Sequence, residues 1–276
     1  MNETSGDREW LRTSIGHSTS DTITLRDRDV AAELMGRMSF SDVAFLLAIG
    51  REPSRAESLL FNAVLISLAD HGLTPIALAA RLTYTGAPEA LQGAIAAGLL
   101  GGGSVFLGPV EDTARFLDTV LGGVPAGRRN DDAALESAAI DAVEEALSTG
   151  RRIPGLGHPT HKVMDPRTPR LYELADETGL AGPHLRLLDL VAGAHRSATG
   201  KSLPINGAGA AGAVLADLGF PPYLTRGFAL LARTAGLIGH LAEEFEHPIG
   251  MQLWKEVDRR AAAATEQRLD DKGSEP

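Results

Sequence analysis

What most constrains this chain is how little of it alternates. Only "DTITL", residues 21–25, carries the every-other-residue pattern of a strand, and it is too short to found a sheet. Elsewhere apolar residues return at helical spacing between recognisable start and stop signals. "PSRAESLLFNAVLISLADHG" opens with Ser54 and Glu57 in capping-box spacing and closes on Gly72. "DDAALESAAIDAVEEALSTG" has acids in its first turn, Leu135, Val143 and Leu147 along one face, and Gly150 at its end. "PHLRLLDLVAGAHRSATG" and "TRGFALLARTAGLIGHLAEEFE" read as helices in the same way. No βαβ alternation and no internal repeat is present, so the expected fold class is all-α. "VLGGVPAGRRNDD" is the expected exposed connection, and the tail "AAAATEQRLDDKGSEP" is expected to fray.

Composition narrows the function classes. At 276 residues and 43% hydrophobic, the chain can bury one large core. Its net charge of −10 argues against nucleic acid and anionic membranes as partners, both of which need a basic face. Cysteine is absent, which removes disulfides and thiolate clusters and fits a reducing compartment. The start, "MNETSGDREW", has no apolar signal segment, and "LQGAIAAGLLGGGSVFLG" is broken by glycines, so it reads as packed helix and loop rather than a membrane span. The expectation is a cytoplasmic protein.

Three stretches carry chemistry. "NGAGAAG" spells G-x-G-x-x-G through Gly207, Gly209 and Gly212, but only the short, proline-containing "KSLPI" precedes it and no acid stands near position 230. Close packing at a helix start is the alternative. "GLGHPTHKVMDPR", residues 155–167, sets His158, His161, Lys162 and Arg167 around a glycine turn. Two imidazoles could begin a metal site, but H-E-x-x-H is missing and the one nearby acid, Asp165, stands before a proline and reads as a turn former. Guanidinium, ammonium and imidazole together suit carboxylates and phosphates. In "ARTAGLIGHLAEE", Arg233 and His240 share a helix face beside small residues, which also describes a plain packing groove. His71, at a helix end, has a capping role as its alternative.

Taken in order, "ADHGLTPIALAARLTYTGAPEALQGAIAAG", "GLGHPTHKVMDPR", "LPINGAGAAG" and "ARTAGLIGHLAEE" resemble the conserved blocks of the citrate synthase superfamily, from His71 to Glu244. The short chain looks most like the citryl-CoA lyase branch, stand-alone or as the C-terminal domain of ATP-citrate lyase. The resemblance implies an all-helical homodimer, with a large domain (1–105 and 213–276), a smaller one (106–212) and a cleft between them. It implies that His71, Arg167 and Arg233 bind the carboxylates of a di- or tricarboxylate, that His158 is catalytic, and that Lys162 approaches the phosphates of coenzyme A, with no metal. The implied reaction is cleavage of citryl-CoA, or a related 3-hydroxyacyl-CoA, to acetyl-CoA and an oxo acid. A non-catalytic homologue binding a CoA ester or polycarboxylate, and condensation in the synthase direction, are the alternatives. Two departures bear on the choice. Phe106 stands where the synthases carry a histidine, as in the lyase branch, and Ala208 stands where the family carries its catalytic aspartate. The synthases' arginine from a second subunit has no evident match; "EFEHPIGMQLW" offers His247.

Overall fold

The computed structural model describes residues 12–273. Among them the helices are α1 (Phe40–Ile49), α2 (Arg55–Leu68), α3 (Pro75–Gly86), α4 (Leu91–Leu100), α5 (Gly108–Gly122), α6 (Asp132–Ser148), α7 (Arg167–Glu177), α8 (Pro183–Thr199), α9 (Gly207–Asp217), α10 (Pro222–Glu246) and α11 (Gly250–Gly273). The all-α expectation holds. One addition is a small antiparallel sheet, β1 (Gly16–Ser18), β2 (Ile23–Leu25) and β3 (Arg28–Asp29), paired in that order. "DTITL" thus does pair into a sheet, contrary to expectation; its partners were not legible because Gly16–Ser18 and Arg28–Asp29 carry no apolar alternation.

Local signals set most helix ends. Ser54 and Glu57 form the reciprocal capping box of α2, and Asp131 caps α6 through two backbone N–H groups. α2 stops at Leu68, four residues before Gly72, because Asp70 takes the Gly72 N–H at 2.7 Å and folds a tight turn. His71 therefore sits in that turn, past the helix end. α8 has no cap of its own; Asp217 of α9 reaches across to accept the N–H groups of Gly182, His184 and Leu185. Asp217 is thus committed to structure.

The tail is helical through Gly273 rather than frayed. A run of four alanines and the pairing of Glu256 with Arg259 and Arg260 favour helix there without burial. The polar segment 1–10 and the last three residues lie outside the described residues. No helix among the described residues is long and apolar enough to cross a membrane.

The core is continuous. Phe45, Phe61, Phe220 and Phe228 pack together, mostly edge-on, between α1, α2 and α10, and the buried leucines of α5, α8 and α9 extend that cluster. α9 lies at the centre, almost wholly buried, with α2, α5, α7, α8 and α10 around it. It can do so because its side chains are nearly all glycine and alanine.

Candidate active-site cavity

A cavity of about 1150 Å³ opens between α5, the glycine loop 153–160, the start of α9 and α10. His71, His158, Arg167, Arg233 and Ala208 all line it. These side chains come from four separate stretches of sequence, and the backbone explains how they meet. Gly155 and Gly157 hold φ +85° and +82°, a left-handed conformation that favours glycine. The loop so formed is tied to the strand-like segment before α9: Asn206 N–H bonds Gly155 O at 2.9 Å, Gly157 N–H bonds Pro204 O at 2.7 Å, and Asn206 Nδ2 bonds Gly157 O at 2.8 Å. Asn206 also caps α9 through the Gly209 N–H.

The G-x-G-x-x-G string has a packing explanation at each glycine. A Cβ on Gly207 would strike the Arg167 guanidinium, one on Gly209 the Gly155 backbone, and one on Gly212 the Val110 carbonyl of α5. The glycines let three neighbours approach a helix start. With no βαβ unit around them, the dinucleotide reading has no structural support.

Arg167 is not an open fork. Its Nε and Nη2 bind the two carboxylate oxygens of Asp165 at 2.9 and 2.7 Å, and its Nη1 bonds Ser67 O at 3.1 Å. Asp165 is fully buried and also accepts the Gly207 N–H at 2.8 Å. Burial pushes its carboxyl up, but Arg167 and the Gly207 N–H outweigh this and hold it well below the usual carboxylate range. Asp165 is the turn former its place before Pro166 suggests, since Oδ1 takes the Arg167 N–H and its carbonyl the Thr168 N–H, both at 3.1 Å; it also fixes the Arg167 guanidinium against α9. The only sequence signal was its two-residue spacing from Arg167.

Arg233 is the opposite case. It is 5% exposed, its Nε has no hydrogen-bond partner, and its nearest carboxylate oxygen, on Asp70, lies 3.9 Å from Nη1. Desolvation lowers its pKa, so the guanidinium lacks compensation where it stands.

The histidines form a stack. His158 and His161 lie 4.4 Å apart, and His71 sits 5.4 and 5.7 Å from them, ring centre to ring centre. Burial first, then the charge of Arg167, lowers the pKa of His71. Burial is also the largest cause for His158, with Asp165 only partly opposing it. A dipole-favoured imidazolium at His71 is therefore not what the turn provides. His158 Nδ1 accepts the N–H groups of Thr160 and His161 at 3.1 and 2.9 Å, which leaves the ring proton on Nε2. His158 is a neutral donor.

The three rings bring ligand nitrogens within 4.8 Å of one another, close enough to raise a metal site. The chemistry does not fit. A metal-bound neutral imidazole keeps its proton on the other nitrogen. Ligation through His158 Nε2 would break both bonds at Nδ1, with two guanidiniums alongside.

Lys162 is outside the cavity lining; its ammonium bonds the His158 carbonyl at 3.1 Å. Arg115, Arg151 and Arg152 also line the cavity and were not legible in sequence because they belong to no motif. Phe106, Asp112 and Glu145 line it too; Arg115 pairs with Glu111 and Arg151 with Glu145. His240 lies behind the wall, against Asp70.

The comparisons agree with this architecture. Residues 9–254 match the citrate synthase C-terminal domain. The chain belongs to the citrate synthase family. Within it, the structure is similar to citryl-CoA lyase from Hydrogenobacter thermophilus, at TM-score 0.75 and 33% identity over 84% of this chain and 86% of that one. ATP citrate lyase from Methanothrix soehngenii, solved with citrate and coenzyme A, shares the fold at TM-score 0.69 and 21% identity, covering 89% of this chain and 42% of the other. Citrate synthase from Haloferax volcanii is 25% identical over 198 residues, 71% of this chain; the chain spans about half the length of that curated relative, 49%.

Proposed function

We propose that this protein is a carbon–carbon lyase of the citryl-CoA type. It would cleave citryl-CoA, or a related 3-hydroxyacyl-CoA, to acetyl-CoA and an oxo acid. The observation that carries the reading is Arg233: a buried guanidinium with an unpartnered Nε, facing a cavity large enough for an acyl-CoA. An anion there removes a standing cost, and a carboxylate matches the fork. The likeness to a citryl-CoA lyase supports the choice of acid.

The reaction requires the tertiary hydroxyl to lose its proton, the carbon–carbon electrons to leave with the acetyl unit, and that carbon to gain a proton. His158, which lines the cavity and carries its proton on Nε2, donates it as a hydrogen bond to the oxygen as that becomes alkoxide and then carbonyl. Because Nδ1 is taken, His158 donates and does not abstract; the hydroxyl proton leaves to water in the open cavity and the acetyl carbon takes one proton back from water, so protons balance and turnover is expected to be slow. Arg233 and His71 hold the carboxylates, and Arg167, whose three nitrogens are engaged by Asp165 and Ser67, adds its positive charge and its remaining N–H protons. For the coenzyme phosphates, Arg152, which has no ion pair among the described residues, is the available lining cation; Arg115 and Arg151 are paired with Glu111 and Glu145, and Lys162 lies on the loop outside the lining. Acid-binding groups come from all three proposed segments, 1–105, 106–212 and 213–276.

Ala208 supplies no proton carrier, and this favours a second reading, in which the protein binds a CoA ester or polycarboxylate without turning it over. Condensation in the synthase direction also lacks that acid, and Phe106 removes the synthase histidine. Incubation with citryl-CoA, coupled to malate dehydrogenase and NADH, distinguishes them. The lyase reading expects slow oxaloacetate release that Arg233→Leu abolishes. Tight citrate binding with no release would establish the binding reading.

A further inference from the structure

Two residues of the acid-binding wall reach their places through groups that do not touch the cavity. Asp70, in the turn after α2, and His240, on α10, both lie outside the lining. His240 Nδ1 accepts from Arg81 Nε at 3.3 Å. Arginine only donates, so the His240 proton is on Nε2, which donates to Asp70 Oδ1 at 2.9 Å. The same Oδ1 faces Arg233 Nη1, and Oδ2 takes the Gly72 N–H at 2.7 Å, closing the turn that carries His71. One carboxylate thus addresses Arg233 and the backbone under His71 together.

Behind His240 the chain of charges continues. Arg81 of α3 is 2% exposed; it pairs with Glu243, and with Glu244 at 3.0 Å. Glu244 in turn accepts the N–H groups of Ile249 and Gly250 at 3.0 and 2.8 Å, where α10 ends and α11 begins. The signs alternate from that junction to the cavity: Glu244, Arg81, neutral His240, Asp70, Arg233. Among the described residues Asp70 is the one ion-pair partner of Arg233, at 3.9 Å.

We propose that His240 is a positioning residue: by donating to Asp70 it sets where Arg233 and His71 stand, and it anchors both to the α10–α11 junction through Arg81 and Glu244. The inference rests on the reading of the cavity as a polycarboxylate site. Its test is separable from that reading because it also has a ligand-free measurement. His240→Gln keeps an N–H donor near the Nε2 position; His240→Leu keeps the bulk and removes the donor. Calorimetry of the full chain with citrate is expected to show Kd raised at least about tenfold by Leu, about 1.4 kcal/mol, and changed less than about threefold by Gln. Circular dichroism melts of both variants check that each is folded. Crystal structures of wild type and His240→Leu without ligand are expected to show the Arg233 guanidinium and the His71 ring displaced in the variant. Wild-type affinity in folded His240→Leu overturns the proposal, as does equal loss in Gln and Leu. If wild type fails to bind citrate, the site reading falls, and the ligand-free structures decide the positioning role: unmoved Arg233 and His71 would overturn it.

Discussion

His158 shows how much a single hydrogen-bond pattern decides. Its loop turns two N–H groups onto Nδ1, so the ring is presented as a neutral donor before any ligand arrives. Replacing it with alanine is expected to reduce lyase turnover by roughly 10² to 10⁴ with the fold retained. Near-normal turnover in folded protein would remove it from the mechanism. The lowered pKa values of His71 and His158 also have a sign. Each binds its proton less readily folded than unfolded, so its contribution is intact above about pH 6.5, the ordinary imidazole value, and is lost as pH falls below it. The melting temperature should therefore drop from pH 7 to pH 5, and drop less in a His71→Gln/His158→Gln protein; parallel profiles would mean the rings do not resist protonation. For Arg167 the structure changes the expectation. A free bidentate grip on ligand was implied, but Asp165 occupies that edge. Arg167→Lys should cost about 1 to 3 kcal/mol in urea unfolding as well as weaken citrate binding, because a buried carboxylate loses its fork. Unchanged stability would show that the Asp165 clamp is dispensable. Motif residues were legible in sequence because their chemistry is unusual in a loop. Asp165, Asp70 and the cavity arginines were not, because an acid or arginine gains its meaning only from what folding places beside it.

At the scale of elements, the Ser54/Glu57 capping box marks the start of α2, and Gly150 and Gly200 mark the ends of α6 and α8, all legible in sequence. What local signals missed were ends set by other elements: α2 ends at the Asp70 turn, and α8 begins on a cap supplied by α9. α9 is the clearest case of tertiary control. Three glycines near a helix start suggest weak propensity, yet the helix is buried at the centre because they let α5 and the glycine loop touch its backbone. A solvent-facing helical Gly→Ala change stabilises by about 1 kcal/mol. Gly212→Ala and Gly209→Ala should do the reverse, destabilising by about 1 to 3 kcal/mol, since backbone cannot yield as a side chain would. Denaturant unfolding gives the sign directly, and stabilisation by either change would mean the close approaches are looser than described.

For the whole molecule, the cavity draws on residues more than 160 positions apart, from His71 to Arg233, so the site exists only when the helices are assembled. The homodimer expected from the family would cover exposed apolar side chains such as Phe245, Trp254 and Val257 of α10 and α11. Sedimentation at micromolar concentration should give a dimer; a monomer would leave that surface for another partner. The proposed lyase site is short of one proton carrier, at Ala208. Ala208 stands in the first turn of α9, where a carboxylate is favoured by the helix dipole and Arg167 lies against the adjacent Gly207. The decisive measurement is therefore oxaloacetate release from citryl-CoA by wild type and Ala208→Asp, side by side. Wild-type release should be slow, and the variant should gain at least about tenfold, a barrier change of about 1.4 kcal/mol. Brisk wild-type release, or a folded, citrate-binding Ala208→Asp protein with no gain, would contradict it.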